Sequence, residues 1–169
     1  MIEANKNIIL IGFMASGKST LGKKLARKLN FDFVDTDDLI EKADKMSINA
    51  IFEKKGEGYF RTLEKNVAKE LPGNNTVIAV GGGLPCHSSN MNDLKNIGVT
   101  IYLERPAKEL YNRLVNAKNK RPLVKNLSEE ELLSFIENKL DEREKYYKQS
   151  QIILGREEQT VDDIINLLK

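Results

Sequence analysis

Residues 7–20 read NIILIGFMASGKST and carry the strongest structural signal in the chain. The run from residue 7 to Gly12 is almost wholly apolar, which is typical of a central strand buried on both faces. Apolar residues then recur at helical spacing from Leu21 to Leu29, so a helix is predicted over residues 18–29. Between them stand two glycines in the Walker A spacing, followed by lysine and serine. We therefore predict a nucleotide phosphate site between the first strand and the first helix.

The residue types in this loop suit phosphate binding. Glycines let consecutive backbone N–H groups turn toward phosphate oxygens, and the following helix adds its positive dipole end. We expect Lys18 to reach the β- and γ-phosphates of ATP, and the Ser19 hydroxyl to bind Mg²⁺. A chance glycine-rich turn is the alternative, expected in on the order of 1% of chains of this length. Nucleotide contacts are predicted for Gly12, Ala15, Ser16, Gly17, Lys18, Ser19 and Thr20.

The composition indicates one small globular domain, residues 1–169. Hydrophobic residues make up 40% of the chain and charged residues 31%, as in soluble folded proteins. A net charge of +2 argues against partners bound by bulk charge, so neither nucleic acid nor a membrane is expected. The single cysteine, Cys86, cannot form a disulfide within the chain, and we expect a cytoplasmic protein.

Short β-like runs alternate with helical stretches along the whole chain. Strands are predicted at residues 7–12, 31–35, 76–80, 99–103 and 151–154. Five strands separated by helices favour a three-layer α/β/α fold with a five-stranded parallel sheet. A break in helix is predicted near residues 54–58. Ser128 and Glu131 match a capping box that opens a long helix reaching about Tyr147.

Two aspartates, Asp35 and Asp37, follow the second predicted strand, at the edge where open parallel sheets bind ligands. If the chain stays extended there, both side chains point the same way. One carboxylate can then serve the Mg²⁺ shell, and the other can accept a proton from an attacking hydroxyl. Helix capping by Thr36 or Asp37 is the alternative, and the two uses are compatible.

Two arginines indicate an anionic acceptor. Arg61 and Glu64 lie one helical turn apart, and a surface ion pair is an equally good interpretation of that spacing. Arg143 falls on or near the apolar stripe of the long helix, where a cation needs an anionic partner or a route to solvent. Paired guanidinium groups suit a carboxylate.

Two further segments can contact ligands. Gly81, Gly82 and Gly83 follow the third predicted strand, where either close approach of a ligand or a plain turn explains three glycines. Residues 117–127 carry four basic side chains and no acidic ones. This segment is either a solvated surface or a lid that brings a cation onto the transferring phosphoryl group.

The order of these motifs resembles that of the shikimate kinase family, over essentially the whole chain. The stretches that carry the resemblance are residues 12–20, 35–37, 60–64, 81–83 and 121–123. The resemblance implies a P-loop NTPase fold of the nucleoside-monophosphate-kinase type, with an acceptor-binding segment at 36–72 and a mobile lid at 117–127. It also implies a monomer that uses ATP and Mg²⁺ to phosphorylate the 3-hydroxyl of shikimate, in chorismate and aromatic amino acid synthesis.

The same resemblance implies a role for each candidate residue. Lys18 would bind phosphate, and Ser19 would bind the metal with Asp35 close by. Asp37 would hold shikimate hydroxyls and act as the candidate base. The other implied contacts are Arg61 and Arg143 on the shikimate carboxylate, Glu64 orienting Arg61, Gly81 to Gly83 lining the acceptor pocket, Arg121 on the phosphoryl group from the lid, and Arg113 on the adenine.

One departure from the family pattern concerns the turn before the last helix. Family members often have a proline there, packed on the adenine, whereas this chain has Gly155-Arg-Glu-Glu-Gln-Thr160. The adenine contact on that side is therefore left unassigned. Two rival functions remain at this point: another small-molecule kinase of this fold, such as a gluconate-type kinase, and a non-catalytic ATP-binding module.

Overall fold

A computed structural model describes residues 6–117 and 122–169, which form five strands and seven α-helices. The strands are β1 (Asn7–Ile11), β2 (Asp32–Asp35), β3 (Thr76–Ala79), β4 (Gly98–Leu103) and β5 (Ile152–Leu154). The helices are α1 (Lys18–Leu29), α2 (Thr36–Asp44), α3 (Ile48–Lys69), α4 (Asn90–Ile97), α5 (Ala107–Val115), α6 (Glu129–Tyr147) and α7 (Val161–Leu168). The five predicted strands are confirmed, each within two residues of its predicted ends.

The strands form one parallel sheet in the order β2-β3-β1-β4-β5. All five residues of the central strand β1 are buried, as its apolar sequence requires. Alternate residues of β1 enter different cores: Ile8 and Leu10 pack with α1 and α7, whereas Ile9 and Ile11 pack with α4, α5 and α6. The predicted three-layer α/β/α arrangement is therefore confirmed.

Local sequence explains two helix boundaries near the site. Gly56 interrupts α3 with φ 83°, a left-handed conformation, at the predicted break. Helix α6 begins at the predicted capping box, in which the Ser128 hydroxyl accepts from the Glu131 N–H and the Glu131 carboxylate accepts from the Ser128 N–H.

Two features of the helices differ from the sequence expectation. Helix α2 begins directly after β2, so the chain does not stay extended through Asp37. Helix α4 had no predicted counterpart. Met91 and Leu94 on this helix are buried against the core, but the intervening residues are polar and leave little periodic signal.

No helix of the described residues combines the length and apolar character needed to cross a bilayer.

Candidate active site

The phosphate loop joins β1 to α1 at the carboxyl edge of the sheet. Gly17 caps α1 with φ 96°, which glycine adopts without strain. The Lys18 ammonium donates hydrogen bonds of 2.8 Å to the carbonyls of Gly12 and Phe13, so the side chain lies across the loop. An open cleft lies next to the loop. Its lining includes Ala15, Gly17, Lys18, Ser19, Thr20, Asp35 and Asp37.

Asp35 connects the phosphate loop to the start of α2. One carboxylate oxygen accepts a 2.6 Å hydrogen bond from the Ser19 hydroxyl, and the other accepts a 2.9 Å bond from the Asp37 N–H. The helix cap is therefore Asp35 itself, and the alternative of a cap at Thr36 or Asp37 is wrong. Asp37 lies in the first turn of α2, and its side chain lines the cleft.

A second pocket lies next to the phosphate cleft. Its charged lining residues are Asp37, Arg61, Glu64 and Arg143, and its apolar wall comprises Ile48, Phe52, Phe60 and Leu123. The residues that line both cavities are Met14, Asp37, Gly81 and Gly82. The two cavities are therefore neighbours with a common wall, which includes one carboxylate.

The guanidinium of Arg61 is held in place by two glutamates. It donates at 2.5 Å to Glu64 and at 3.1 Å to Glu57. The Glu64 side chain is only 1% exposed, so this contact is not the surface ion pair that the spacing alone allowed. The Nε of Arg61 is buried and has no hydrogen-bond partner in the described part of the chain, which leaves donor capacity on this side chain.

Arg143 is buried, at 6% exposure, on the pocket side of α6. Its guanidinium carbon lies 5.4 Å from the centre of the Phe13 ring, a cation–π contact. Among the described residues no carboxylate lies within ion-pair distance of it. A buried cation without a counter-ion is costly, so its position in the pocket favours an anionic ligand.

The glycine run at residues 81–83 is tied down on both sides. The Gly81 N–H donates to the Thr36 hydroxyl at 2.9 Å, and the Tyr147 hydroxyl donates to the Gly82 carbonyl at 2.5 Å. A Cβ on Gly83 would collide with the Arg61 guanidinium. These contacts make the run a fitted part of the pocket wall rather than a plain turn.

The family model described as "Shikimate kinase" matches residues 14–169. The chain belongs to the shikimate kinase family. A shikimate kinase from Azobacteroides pseudotrichonymphae genomovar. CFP2 is 42% identical over 165 residues, covering 96% of this chain and 97% of that protein.

Solved structures of shikimate kinases have the same fold. The enzyme from Bacteroides thetaiotaomicron superposes with a TM-score of 0.87 at 36% identity, covering 97% of each chain. The enzyme from Acinetobacter baumannii, solved in complex with shikimate, superposes with a TM-score of 0.84 at 33% identity, covering 96% of this chain and 90% of that one. The expected resemblance to the shikimate kinase family is confirmed.

In this shikimate kinase family member, the sequence did not predict that Thr36 and Tyr147 form hydrogen bonds with the glycine run. Tyr147 lies one turn after Arg143 on α6, is fully buried, and has its ring 5.1 Å from that of Tyr102. That position fits an ordinary core residue. The structure adds that its hydroxyl donates a hydrogen bond to the carbonyl of Gly82, 65 residues away in the chain.

Replacing Tyr147 by phenylalanine tests that contact. The variant keeps the ring packing but leaves the Gly82 carbonyl with the weak Cys86 thiol donor at 4.0 Å, and losing the hydroxyl from a buried group costs about 1–3 kcal/mol. We expect the KM for shikimate to rise about 5- to 10-fold, with the KM for ATP changed less than about two-fold. Steady-state kinetics checks this, and Tyr146→Phe, one residue earlier on the same helix, is the control. Equal changes in both KM values would show that the hydroxyl does not act through the acceptor pocket.

The Glu64 carboxyl is expected to make the free energy of unfolding of the chain depend on pH. Burial raises its pKa from 4.5 to about 7, against the lowering effect of Arg61. The folded chain therefore holds the proton more tightly than the unfolded chain, and the free energy of unfolding falls as pH rises from about 4.5 through about 7. At about 1.4 kcal/mol per pH unit, this loss reaches roughly 3 kcal/mol at most.

The Glu64→Gln variant should lack this pH-dependent loss. Urea unfolding at about pH 5 and about pH 8 measures it: the wild-type protein should lose more stability between the two pH values than the variant does. Parallel losses in both proteins would contradict the assignment.

Arg113, predicted to contact the adenine, lies beside the phosphate loop. Its guanidinium donates to the Ala15 carbonyl at 3.1 Å. The turn before α7 contains a short 3₁₀ helix, Arg156–Glu158, and Gln159 holds this turn by donating to the carbonyls of Glu104 and Leu154.

The predicted lid, residues 117–127, is described only in part. Arg121, the residue expected on the phosphoryl group, lies outside the described residues. Of the described part, Leu123 lines the acceptor pocket, and Lys125 pairs with Glu53 of α3 at 3.1 Å.

Proposed function

We propose that this chain transfers the γ-phosphoryl group of ATP to the 3-hydroxyl of shikimate, giving shikimate 3-phosphate and ADP. The observation that carries the proposal is the common wall of the two cavities. One cavity has a phosphate loop, the other has two guanidiniums suited to a carboxylate, and Asp37 lies between them. Family membership agrees with this assignment, because the curated relatives are named shikimate kinases.

On the acceptor side, Arg61 and Arg143 bind the shikimate carboxylate. Arg143 supplies a buried cation that has no carboxylate within ion-pair distance among the described residues, and Arg61 is oriented by Glu64. Gly81, Gly82 and Gly83 line the acceptor pocket. Side chains at these positions would collide with Asp37 or Arg61 or crowd the Met14 backbone, so glycine keeps these groups in place.

On the donor side, the phosphate loop and Lys18 bind the ATP phosphates. The Ser19 hydroxyl and the Asp35 carboxylate fit Mg²⁺, because both are hard oxygen donors and Mg²⁺ is usually held by one or two such groups together with substrate phosphates. Bound Mg²⁺ would neutralise charge on the phosphate oxygens. Arg113 contacts the adenine, and Arg121 reaches the phosphoryl group from the lid.

Transfer proceeds in line, without a covalent enzyme intermediate. The bond from the shikimate oxygen to the γ-phosphorus forms as the bond to the ADP oxygen breaks, and the hydroxyl proton passes to Asp37. Lys18 and Arg121 stabilise the charge on the transferring group, while the two acceptor arginines align the hydroxyl. Positioning and electrostatics contribute most of the rate.

A coupled assay of ADP release tests the proposal. ADP should form with shikimate as acceptor, and gluconate, the acceptor of a rival kinase class, should support little turnover. Faster turnover with gluconate would contradict the acceptor assignment. Absence of ADP release with either acceptor, in a chain that still binds ATP, would favour a non-catalytic ATP-binding module.

The chain is also proposed to act as a cytoplasmic monomer. All residues assigned here come from one chain, and the single cysteine suits a reducing compartment. Light scattering coupled to size exclusion should give the mass of one chain, about 19.2 kDa. A mass of two chains at assay concentration would contradict the monomer.

A further inference from the structure

Arg105, directly after Leu103 and Glu104 at the end of β4, makes a long-range contact with the phosphate loop. Its Nε donates to the Ser16 carbonyl at 2.8 Å, across 89 residues of chain. The same guanidinium donates to Glu109 of α5 at 2.6 Å, and the side chain is 12% exposed. Arg105 lines neither the phosphate cleft nor the acceptor pocket, and it reaches the phosphate loop through its hydrogen bond to Ser16.

The contact fixes one peptide of the loop. The Ser16 carbonyl belongs to the same planar trans peptide as the Gly17 N–H, and the two groups point in opposite directions. Holding the carbonyl on Arg105 therefore fixes the direction of the Gly17 N–H. Gly17 lines the phosphate cleft and is the N-cap of α1. Backbone N–H groups at the start of a helix bind phosphate.

The surroundings of Arg105 carry excess positive charge. One oxygen of Glu109 is approached by Arg105 at 2.6 Å, by Arg156 at 3.5 Å and by Arg113 at 3.8 Å. Within the described part of the chain, three guanidiniums thus gather around this carboxylate. Of these three, Arg105 and Arg113 donate hydrogen bonds to loop carbonyls, whereas Arg156 contributes its charge at Glu109.

We propose that Arg105 is a positioning residue for the nucleotide: it fixes the Ser16–Gly17 peptide so that the Gly17 N–H is preset to bind phosphate. The inference rests on the proposed assignment of the phosphate loop to ATP, and it adds a residue outside the loop motif. It concerns nucleotide affinity only, because Arg105 has no contact with the acceptor pocket.

The test compares three variants. Arg105→Gln removes the charge and the Nε donor, Arg105→Lys keeps the charge without the forked geometry, and Arg156→Gln removes a charge from the same Glu109 without touching the loop. ADP affinity is measured by calorimetry without acceptor, and the KM values for ATP and shikimate by steady-state kinetics.

Arg105→Gln should weaken ADP binding about 10-fold and raise the KM for ATP similarly, since charged hydrogen bonds are stronger than neutral ones. Its KM for shikimate should change less than about two-fold. Arg105→Lys should recover only part of the loss, and Arg156→Gln should stay within about two-fold of wild type.

Two results would overturn the inference: ADP affinity of Arg105→Gln within about two-fold of wild type, or an equal loss in Arg156→Gln, which would assign the effect to net charge. Thermal unfolding of each variant separates loss of the fold from loss of binding. If the wild-type protein bound ADP tightly but did not phosphorylate shikimate, the proposed function would fail while the calorimetric test of Arg105 would still be decisive.

Discussion

Replacing Asp37 by asparagine is expected to lower kcat by about 10²- to 10⁴-fold, the usual contribution of a general base. Asp37 lies on the wall common to both cavities, where the hydroxyl of the proposed acceptor would face the phosphate loop. Asparagine has nearly the same shape but cannot take up the hydroxyl proton. ADP affinity should change less than about two-fold, because the phosphate loop and Lys18 are untouched.

Turnover at saturating ATP and shikimate measures the effect, with calorimetry for ADP affinity. Asp38→Asn is the matched control: it makes the same chemical change at the next residue of α2, which is exposed and lines neither cavity. Near-normal turnover of Asp37→Asn would rule out the role of Asp37 as base. A loss of the same size in Asp38→Asn would point to the charge of the helix start rather than to proton transfer.

Replacing Arg143 by alanine is expected to raise the KM for shikimate about 100-fold. Loss of one partner from a buried charge pair costs about 2–5 kcal/mol, and 100-fold corresponds to about 2.7 kcal/mol. The KM for ATP should change far less, although the Phe13 ring of the phosphate loop loses its cation contact. Arg143→Lys should bind shikimate better than Arg143→Ala but worse than wild type, because lysine cannot form two parallel hydrogen bonds with a carboxylate.

Kinetics with shikimate as the varied substrate checks this expectation. Lys139→Ala is the control, because Lys139 lies one turn earlier on α6 and pairs with Glu142 outside the acceptor pocket. An unchanged KM for shikimate in both Arg143→Ala and Arg61→Ala would remove the basis for the carboxylate site. A comparable rise in Lys139→Ala would show that general charge loss on α6 suffices.

The sequence alone predicted those parts of the site whose signal is local. The phosphate loop has its strand, glycines, lysine and helix within residues 7–29, and the capping box at Ser128 spans only four residues. The apolar stripe of α6 likewise placed Arg143 near the core, and the structure has it buried there.

The remaining parts depend on contacts between distant segments. The hydroxyl of Tyr147 meets the carbonyl of Gly82 65 residues away, and Arg105 meets Ser16 over 89 residues. Nothing in the residues around Tyr147 or Arg105 distinguishes them from a core tyrosine and a surface arginine. The parallel sheet brings the ends of β1, β3 and β4 to one edge, and α6 packs against the segment that follows β3, so these contacts depend on the whole fold.

The backbone does not stay extended through Asp37, so the condition under which Asp35 and Asp37 would point the same way is not met. Extended backbone would have aligned Asp35 and Asp37, but α2 begins at Thr36, and acidic residues stabilise the first turn of a helix. The two aspartates therefore differ in position. Asp35 forms hydrogen bonds with the Ser19 hydroxyl and with the first turn of α2, whereas Asp37 lines both cavities.

This bonding of Asp35 constrains how the acceptor range of the enzyme can be redesigned. Because one carboxylate holds both the Ser19 hydroxyl and the first turn of α2, substitutions that shift α2 would also disturb the donor side. A directed-evolution library aimed at new acceptors should therefore leave residues 19 and 35–37 unchanged. The variable positions should come from the apolar wall, namely Ile48, Phe52, Phe60 and Leu123, which line the acceptor pocket without lining the phosphate cleft.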